Sequence, residues 1–130
     1  MNKVVCTYLL YLIKRDDAFN NASLGTHLGK GAAFASVPRM PHGLNGIIVS
    51  HNAVIGKNCC IYHQVTIGEG DEDVDGAPVI GDNCFIGAGA KIIGDIRIGN
   101  NVKIGANCVI TKDVPDNATV VLEQPRIIVR

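Results

Sequence analysis

The sequence lacks the features that mark several large classes of protein. Tryptophan is absent, aromatic residues make up 5% of the 130 residues, and 12 Lys and Arg balance 12 Asp and Glu. Without aromatic stacking platforms or a basic surface, nucleic-acid binding is not expected. The apolar stretch at residues 4–13 is about half the length that spans a bilayer, so membrane insertion is not expected either.

Cysteine chemistry is also sparse. The 5 cysteines include no CxxC pair and are odd in number, which disfavours a structural zinc site and a disulfide framework, so we predict no metal. No small-residue cleavage site follows the apolar stretch; the charged run Lys14-Arg15-Asp16-Asp17 follows instead. This arrangement favours a short helix over a signal peptide and predicts a cytoplasmic protein.

The dominant pattern is an aliphatic residue that recurs every six positions, in two runs separated by an interval of thirteen. Glycine often follows this anchor, and a second apolar residue, mostly small, lies two positions before it. Three of the cysteines occupy that second position, which identifies them as buried small residues. The anchors are Val49, Ile55, Ile61, Ile67, Ile80, Ile86, Ile92, Ile98, Ile104 and Ile110.

A period of six is typical of short strands that alternate with corners. The anchor and the residue two before it face the same side of a strand, and the following glycine permits a tight corner. Three hexads then make one coil of a prism, and successive coils stack at about 4.8 Å, the spacing of neighbouring strands. The sequence therefore predicts an all-β fold, a parallel β-helix of about three coils.

The remaining segments break the period. We assign residues 1–36 to a helical and irregular N-terminal segment and residues 37–130 to the β-helix domain. Residues 69–76 are rich in acids and flanked by glycine, which predicts a loop extruded from the prism; a lid over an active site is the alternative. Pro115 ends the repeat, and residues 116–130 form a C-terminal tail.

Three segments, at residues 41–59, 65–70 and 77–115, carry a resemblance to a known family. They resemble the hexapeptide-repeat acyltransferases, whose fold is a left-handed parallel β-helix. The branch they are most similar to contains the serine O-acetyltransferases and the capsular polysaccharide O-acetyltransferases. The resemblance implies a homotrimer with active sites between neighbouring prisms, and acetyl-CoA as co-substrate.

Acyl transfer from a thioester to a hydroxyl needs a general base, and histidine titrates nearest to working pH. His42, in the segment Pro41-His42-Gly43-Leu44-Asn45-Gly46, matches the family's catalytic histidine, and we predict it as the base. His63 lies at a corner two residues after an anchor, and we predict it as an acceptor-binding residue or second base. His27 and His51 are interpreted as structural.

The resemblance also indicates where acetyl-CoA binds. Gly87, Ala88, Gly105 and Ala106 match the family's groove, where small residues let pantetheine approach the backbone. They are equally explained as corner residues of the repeat. Lys112 and Arg126 are the candidate ligands for the phosphates.

The chain departs from the serine acetyltransferases at three places. Pro41 stands where that family has Asp, Gly76-Ala77 stand where it has Arg-His, and the turn from His42 to Gly46 is one residue longer. Since the family's Arg helps to hold the serine carboxylate, we favour a small-molecule or sugar hydroxyl as acceptor. Serine O-acetylation proper is the alternative.

Two other classes remain open. A γ-carbonic anhydrase on the same fold needs three converging histidines, and the repeat supplies only His51 and His63, on different corners. A catalytically degenerate homologue is consistent with the missing Asp, Arg and second His. Changing His42 to Ala distinguishes an enzyme from such a scaffold.

Overall fold

The computed structural model describes residues 3–27, 30–70 and 76–129. In that part of the chain, helix α1 (Lys3–Phe19) is followed by short strands. Their bounds are β1 (Thr26–His27), β2 (Lys30–Gly31), β3 (Ala33–Phe34), β4 (Ile48–Val49), β5 (Val54–Ile55), β6 (Cys60–Ile61), β7 (Thr66–Gly68), β8 (Val79–Ile80), β9 (Phe85–Ile86), β10 (Lys91–Ile93), β11 (Arg97–Ile98), β12 (Lys103–Ile104), β13 (Val109–Ile110) and β14 (Thr119–Val120).

The strands form the three walls of a prism. β4, β7, β10 and β13 make the first parallel wall, β3, β5, β8 and β11 the second, and β6, β9, β12 and β14 the third. The chain visits the three walls in turn, so strands from β4 to β13 pair with the strand three elements earlier or later, while β3 pairs with β5 and β14 with β12. β1 and β2 lie outside the walls as an antiparallel pair.

A less regular coil lies below the run of ten anchors. Ser23 bridges Ile48, β3 pairs with β5, and Arg39 bridges Cys60. β3 lies before residue 37, where the sequence placed the start of the β-helix domain. This lowest coil explains why the second wall is four strands deep although the regular hexads supply only about three coils.

The anchors form the core that the repeat predicts. All ten are between 0% and 4% exposed, and isoleucine stacks on isoleucine along each wall. Cys59, Cys84 and Cys108 are buried and unpaired, as predicted for a small core position. The residues between core positions point outward, and several outward apolar side chains stay exposed, among them Ile48, Val54, Phe85 and Val109.

The corner that follows β5, β8 and β11 is closed by its own side chains. We call residues 56–58, 81–83, 99–101 and 115–117 the ladder corner. Here the Oδ1 atoms of three side chains accept from the backbone N–H one coil below: Asp82 from Lys57 at 2.7 Å, Asn100 from Asp82 at 2.8 Å, and Asp116 from Asn100 at 2.7 Å.

Glycine at the ladder corner is required by this arrangement. A Cβ at Gly99 would lie 2.3 Å from Asp116 Oδ1 and 2.5 Å from the Asp116 backbone nitrogen, closer than real contacts allow. A second row of side-chain amides runs beside it, through Asn58, Asn83, Asn101 and Asn117, each at positive φ. Asparagine tolerates that left-handed conformation better than most residues.

Helix α1 is longer than the predicted apolar stretch, because it continues through the charged run at residues 14–17. Asp17 is buried, and its carboxylate lies 3.9 Å from Lys14 Nζ. No helix within the described residues has the length and apolar content needed to cross a membrane. Of the predicted acidic loop, residues 71–75 lie outside the described part of the chain.

Candidate active site

Two of the predicted site residues, His42 and His63, meet directly. His42 lies in the turn before β4 and His63 at the corner after β6. Their Nδ1 atoms are 2.7 Å apart, and their ring centroids are 4.7 Å apart with 32° between the planes. At that separation one nitrogen must donate a hydrogen bond and the other must accept it.

Backbone hydrogen bonds hold the two segments that carry the histidine rings. Gly89 N–H donates to the His63 carbonyl at 3.0 Å, and Gln64 N–H donates to the Asn45 carbonyl at 2.8 Å. The second bond ties the His42 turn to the corner. Lys91 Nζ donates to the Gln64 carbonyl at 2.7 Å, which places a cation beside the histidine pair.

An aromatic wall that the sequence analysis missed flanks the pair. The ring of Tyr62 meets His42 edge-on at a centroid distance of 5.3 Å, and Phe85 packs on Tyr62 at 5.2 Å. One sequence signal marks the position: Tyr62 follows an anchor where most hexads carry glycine. The aromatic side chains give the pair an apolar flank.

The small residues predicted for the cofactor groove lie at the same corner as His63. Because β6, β9 and β12 pair in register, Tyr62, Gly87 and Gly105 stack, as do His63, Ala88 and Ala106. We call residues 62–64, 87–89 and 105–107 the open corner. Its upper coils carry no side chain larger than a methyl group at residues 87, 88, 105 and 106.

Unused backbone donors distinguish the open corner. Within the described residues, the N–H groups of Ala88 and Ala106 have no hydrogen-bond acceptor, whereas the equivalent groups of Asp82 and Asn100 are bonded by side chains. Ala106 is also exposed. Free N–H groups on a bare backbone can receive the carbonyl oxygens of an extended ligand or a developing oxyanion.

The two predicted phosphate ligands, Lys112 and Arg126, are not part of the open corner itself. Lys112 is exposed at the corner after β13, a different corner of the prism from Gly87 and Gly105. Arg126 lies in the exposed tail, which leaves β14 directly above the open corner, since Val120 pairs with Ile104. Within one protomer, therefore, Lys112 lies at the wrong corner to reach the groove, whereas the tail starts above the corner that carries it.

A second polar cluster occupies the corner after β4. Ser50 Oγ donates to Glu69 Oε1 at 2.5 Å, Asn52 Nδ2 donates to the same oxygen at 3.0 Å, and His51 Nδ1 lies 3.9 Å from it. The hydrogen bond from Ser50, and then that from Asn52, lowers the pKa of the Glu69 carboxyl. This cluster fixes the residue at which the acidic segment begins.

Metal-ligating side chains do not gather in the described residues: no group of three His, Cys, Asp or Glu could hold an ion there. His51 and His63 lie on different corners, as the spacing predicted. His51 faces Glu69, and His63 faces His42.

Comparison with known proteins places these observations in a family. The model of the bacterial transferase hexapeptide (six repeats) matches residues 77–112. The serine acetyltransferase of Synechococcus elongatus is 38% identical over 107 residues, which are 82% of this chain and 43% of that protein.

Solved structures give the same result. The crystal structure of serine acetyltransferase from Brucella abortus matches with a TM-score of 0.78 at 34% identity, over 94% of this chain and 48% of that one. The serine acetyltransferase of Neisseria gonorrhoeae in complex with serine matches with a TM-score of 0.66 at 43% identity, over 73% of this chain and 39% of that one. The chain thus spans less than half the length of these relatives. The predicted left-handed parallel β-helix is confirmed.

Proposed function

Because the chain belongs to the hexapeptide-repeat acyltransferases, in the branch that contains the serine acetyltransferases, we propose that it is an acetyl-CoA-dependent O-acetyltransferase. The observation that carries the proposal is the open corner. It combines a histidine pair with a column of small residues and unused backbone donors.

In the proposed reaction His42 is the general base. Its Nε2 takes the proton of the acceptor hydroxyl while the oxygen attacks the thioester carbonyl carbon. A carbon–oxygen bond forms, the carbon–sulfur bond breaks, and the proton passes to the departing thiolate. The products are an acetyl ester and free CoA. A backbone N–H of the open corner stabilises the oxyanion.

Acetyl-CoA occupies the column above the histidine pair. Gly87, Ala88, Gly105 and Ala106 let pantetheine approach the backbone, and the N–H groups of Ala88 and Ala106 bind its amide carbonyls. Arg126, in the tail above the same corner, binds the phosphates. Lys112 serves there only if a neighbouring prism presents it, which fits the homotrimer that we also propose.

The trimer is supported by the surface of the prism. Outward apolar side chains such as Val54, Phe85 and Val109 are 38–66% exposed on three different walls, and the tail carries Ile127 and Val129 at 86% and 90%. Burial of such side chains between prisms is favourable. A cytoplasmic location stays a prediction from the sequence.

Serine is the acceptor that the comparisons favour, against the sugar that the sequence analysis favoured. The relatives are named as serine acetyltransferases, and one was solved in complex with serine. We therefore propose L-serine as the first acceptor to test.

A sugar hydroxyl remains the second candidate, on one specific observation. Gly76, where the family carries Arg, has a φ of 150°, and a Cβ there would lie 2.4 Å from Asp95 Cβ. No side chain fits at that position, and the nearby group is a carboxylate. An acceptor that carries a carboxylate finds no cation at residue 76, whereas a sugar hydroxyl does not need one.

The test is release of CoA thiol from acetyl-CoA with L-serine and a panel of sugars measured side by side. Serine-dependent release supports serine acetylation, and release only with a sugar supports the second candidate. CoA binding without release for any acceptor, in wild type and H42A alike, indicates a degenerate homologue.

A further inference from the structure

We propose that His63 is a positioning residue that takes the place of a carboxylate behind the base, holding His42 in the tautomer that leaves Nε2 unprotonated. The inference rests on the proposed function for its kinetic consequence, but its structural content is independent of any substrate.

The geometry of the pair restricts where the protons lie. Two Nδ1 atoms 2.7 Å apart share one proton, because two N–H groups would collide and two lone pairs would repel. In the neutral pair, the ring that donates from Nδ1 has a bare Nε2, and the ring that accepts carries its proton on Nε2. The donor ring is therefore the only one of the two that can act as a base at Nε2.

The placement of the two rings assigns the donor. His63 is half-buried on the prism corner, where its carbonyl is fixed by Gly89 N–H, whereas His42 is exposed in the turn. A substrate reaches the exposed ring first, and Nε2 of His42 lies on the side of its ring away from His63. We assign His42 as the donor and His63 as the acceptor.

Among the described residues, the side-chain hydrogen-bond partner of each ring is the other ring alone. In the described part of the chain, neither ring bonds a carboxylate, and Pro41 supplies none. Tyr62 and Phe85 flank the pair, and the Lys91 ammonium is held by the Gln64 carbonyl. When His42 takes up a proton, its Nδ1–H donates to His63 as a charge-assisted bond, which is stronger than the neutral one.

The test compares H63F with H51F, the same substitution at a corner histidine outside the site. Nitrogen-15 NMR of histidine-labelled protein reports the tautomer of each ring without any substrate. We expect His42 in wild type and H51F to carry its proton on Nδ1, and H63F to release it into a mixture of tautomers. An unchanged His42 tautomer in H63F, or a bare His42 Nδ1 in wild type, overturns the proposal.

Kinetics add a second readout once an acceptor is identified. H63F should lower kcat by about 10- to 100-fold, by analogy with partners that orient metal-ligating histidines, with a smaller change in KM for acetyl-CoA. H63Q, whose amide oxygen can accept from Nδ1–H, should recover part of the loss. Equal losses in H63Q and H63F would contradict the positioning role. If wild type transfers no acetyl group, the proposed function fails, and the NMR result still decides the tautomer.

Discussion

The ladder corner and the open corner are built from the same hexapeptide repeat, yet their backbone N–H groups differ in whether they are hydrogen-bonded. At the ladder corner, the residue after the corner glycine is Asp82 or Asn100, and its side chain binds the backbone N–H one coil below. At the open corner the equivalent residues are Ala88 and Ala106, and their own N–H groups remain unused within the described residues. One position per hexad thus decides whether the backbone N–H groups of a corner are bonded by a side chain or left unused.

We expect H42A to lower the reaction rate more than any other substitution discussed below. Removal of the proposed base should lower kcat by about 10²- to 10⁴-fold, the usual contribution of general base catalysis. CoA binding and the circular dichroism spectrum should not change, because the exposed ring contributes little to the core. A rate for H42A within a few-fold of wild type would contradict the assignment.

Filling the open corner should mainly affect CoA. A phenyl ring in A106F covers the N–H groups and the small-residue column, so we expect the Kd for CoA, measured by calorimetry, to rise by at least about tenfold, or 1.4 kcal/mol. K57F places the same ring at the ladder corner, where, among the described residues, Lys57 is hydrogen-bonded through its backbone N–H and carbonyl and not through its side chain. Weakened CoA binding in K57F and not in A106F would reverse the roles of the two corners.

Disrupting the ladder corner should mainly affect stability. In G99A the added Cβ would lie 2.5 Å from the Asp116 backbone nitrogen, so the corner must shift. Overpacking of this kind costs about 1–3 kcal/mol, which urea denaturation measures. Acetyl transfer measured well below the midpoint of thermal unfolding should remain near wild type. A stable G99A would contradict the requirement for glycine.

The smallest effect concerns the corner after β4. Because the Ser50 hydrogen bond lowers the pKa of Glu69 below its ordinary value of 4.5, the ionised carboxyl stabilises the fold above that value. That contribution is lost as the pH falls through the lowered pKa of the folded state. In E69Q, the free energy of unfolding should therefore depend less on pH than in wild type below pH 4.5. Above about pH 6 the pH dependence of the two proteins should be the same. An unchanged slope below 4.5 would contradict the contact.

Most of the prism could be predicted from the sequence, because the spacing of six identifies each anchor as a buried residue. Ile86 and Ile92 are core residues by spacing alone, and both are fully buried. The lowest coil was not predicted, because in it only Phe34 and Met40 keep the spacing of six, which is too short a run to reveal a period, and the coil is recognised by its pairing with the coils above.

The sequence could identify candidate site residues, but it could not show which of them touch. His42 and His63 are separated by 21 positions, and their meeting depends on the path of the turn that Asn45 ties to Gln64. The sequence at Ala88 and Ala106 does not reveal that their backbone N–H groups are unused. This is recognised only by comparison with the ladder corner, where the equivalent N–H groups are bonded by side chains.

Amide chemical-shift mapping with CoA measures directly whether the open corner binds acetyl-CoA. We expect the largest shifts at the backbone amides of Gly87, Ala88, Gly105 and Ala106, with little change at Asp82 and Asn100. Shifts concentrated at the ladder corner, or absent from the open corner at saturating CoA, would contradict it.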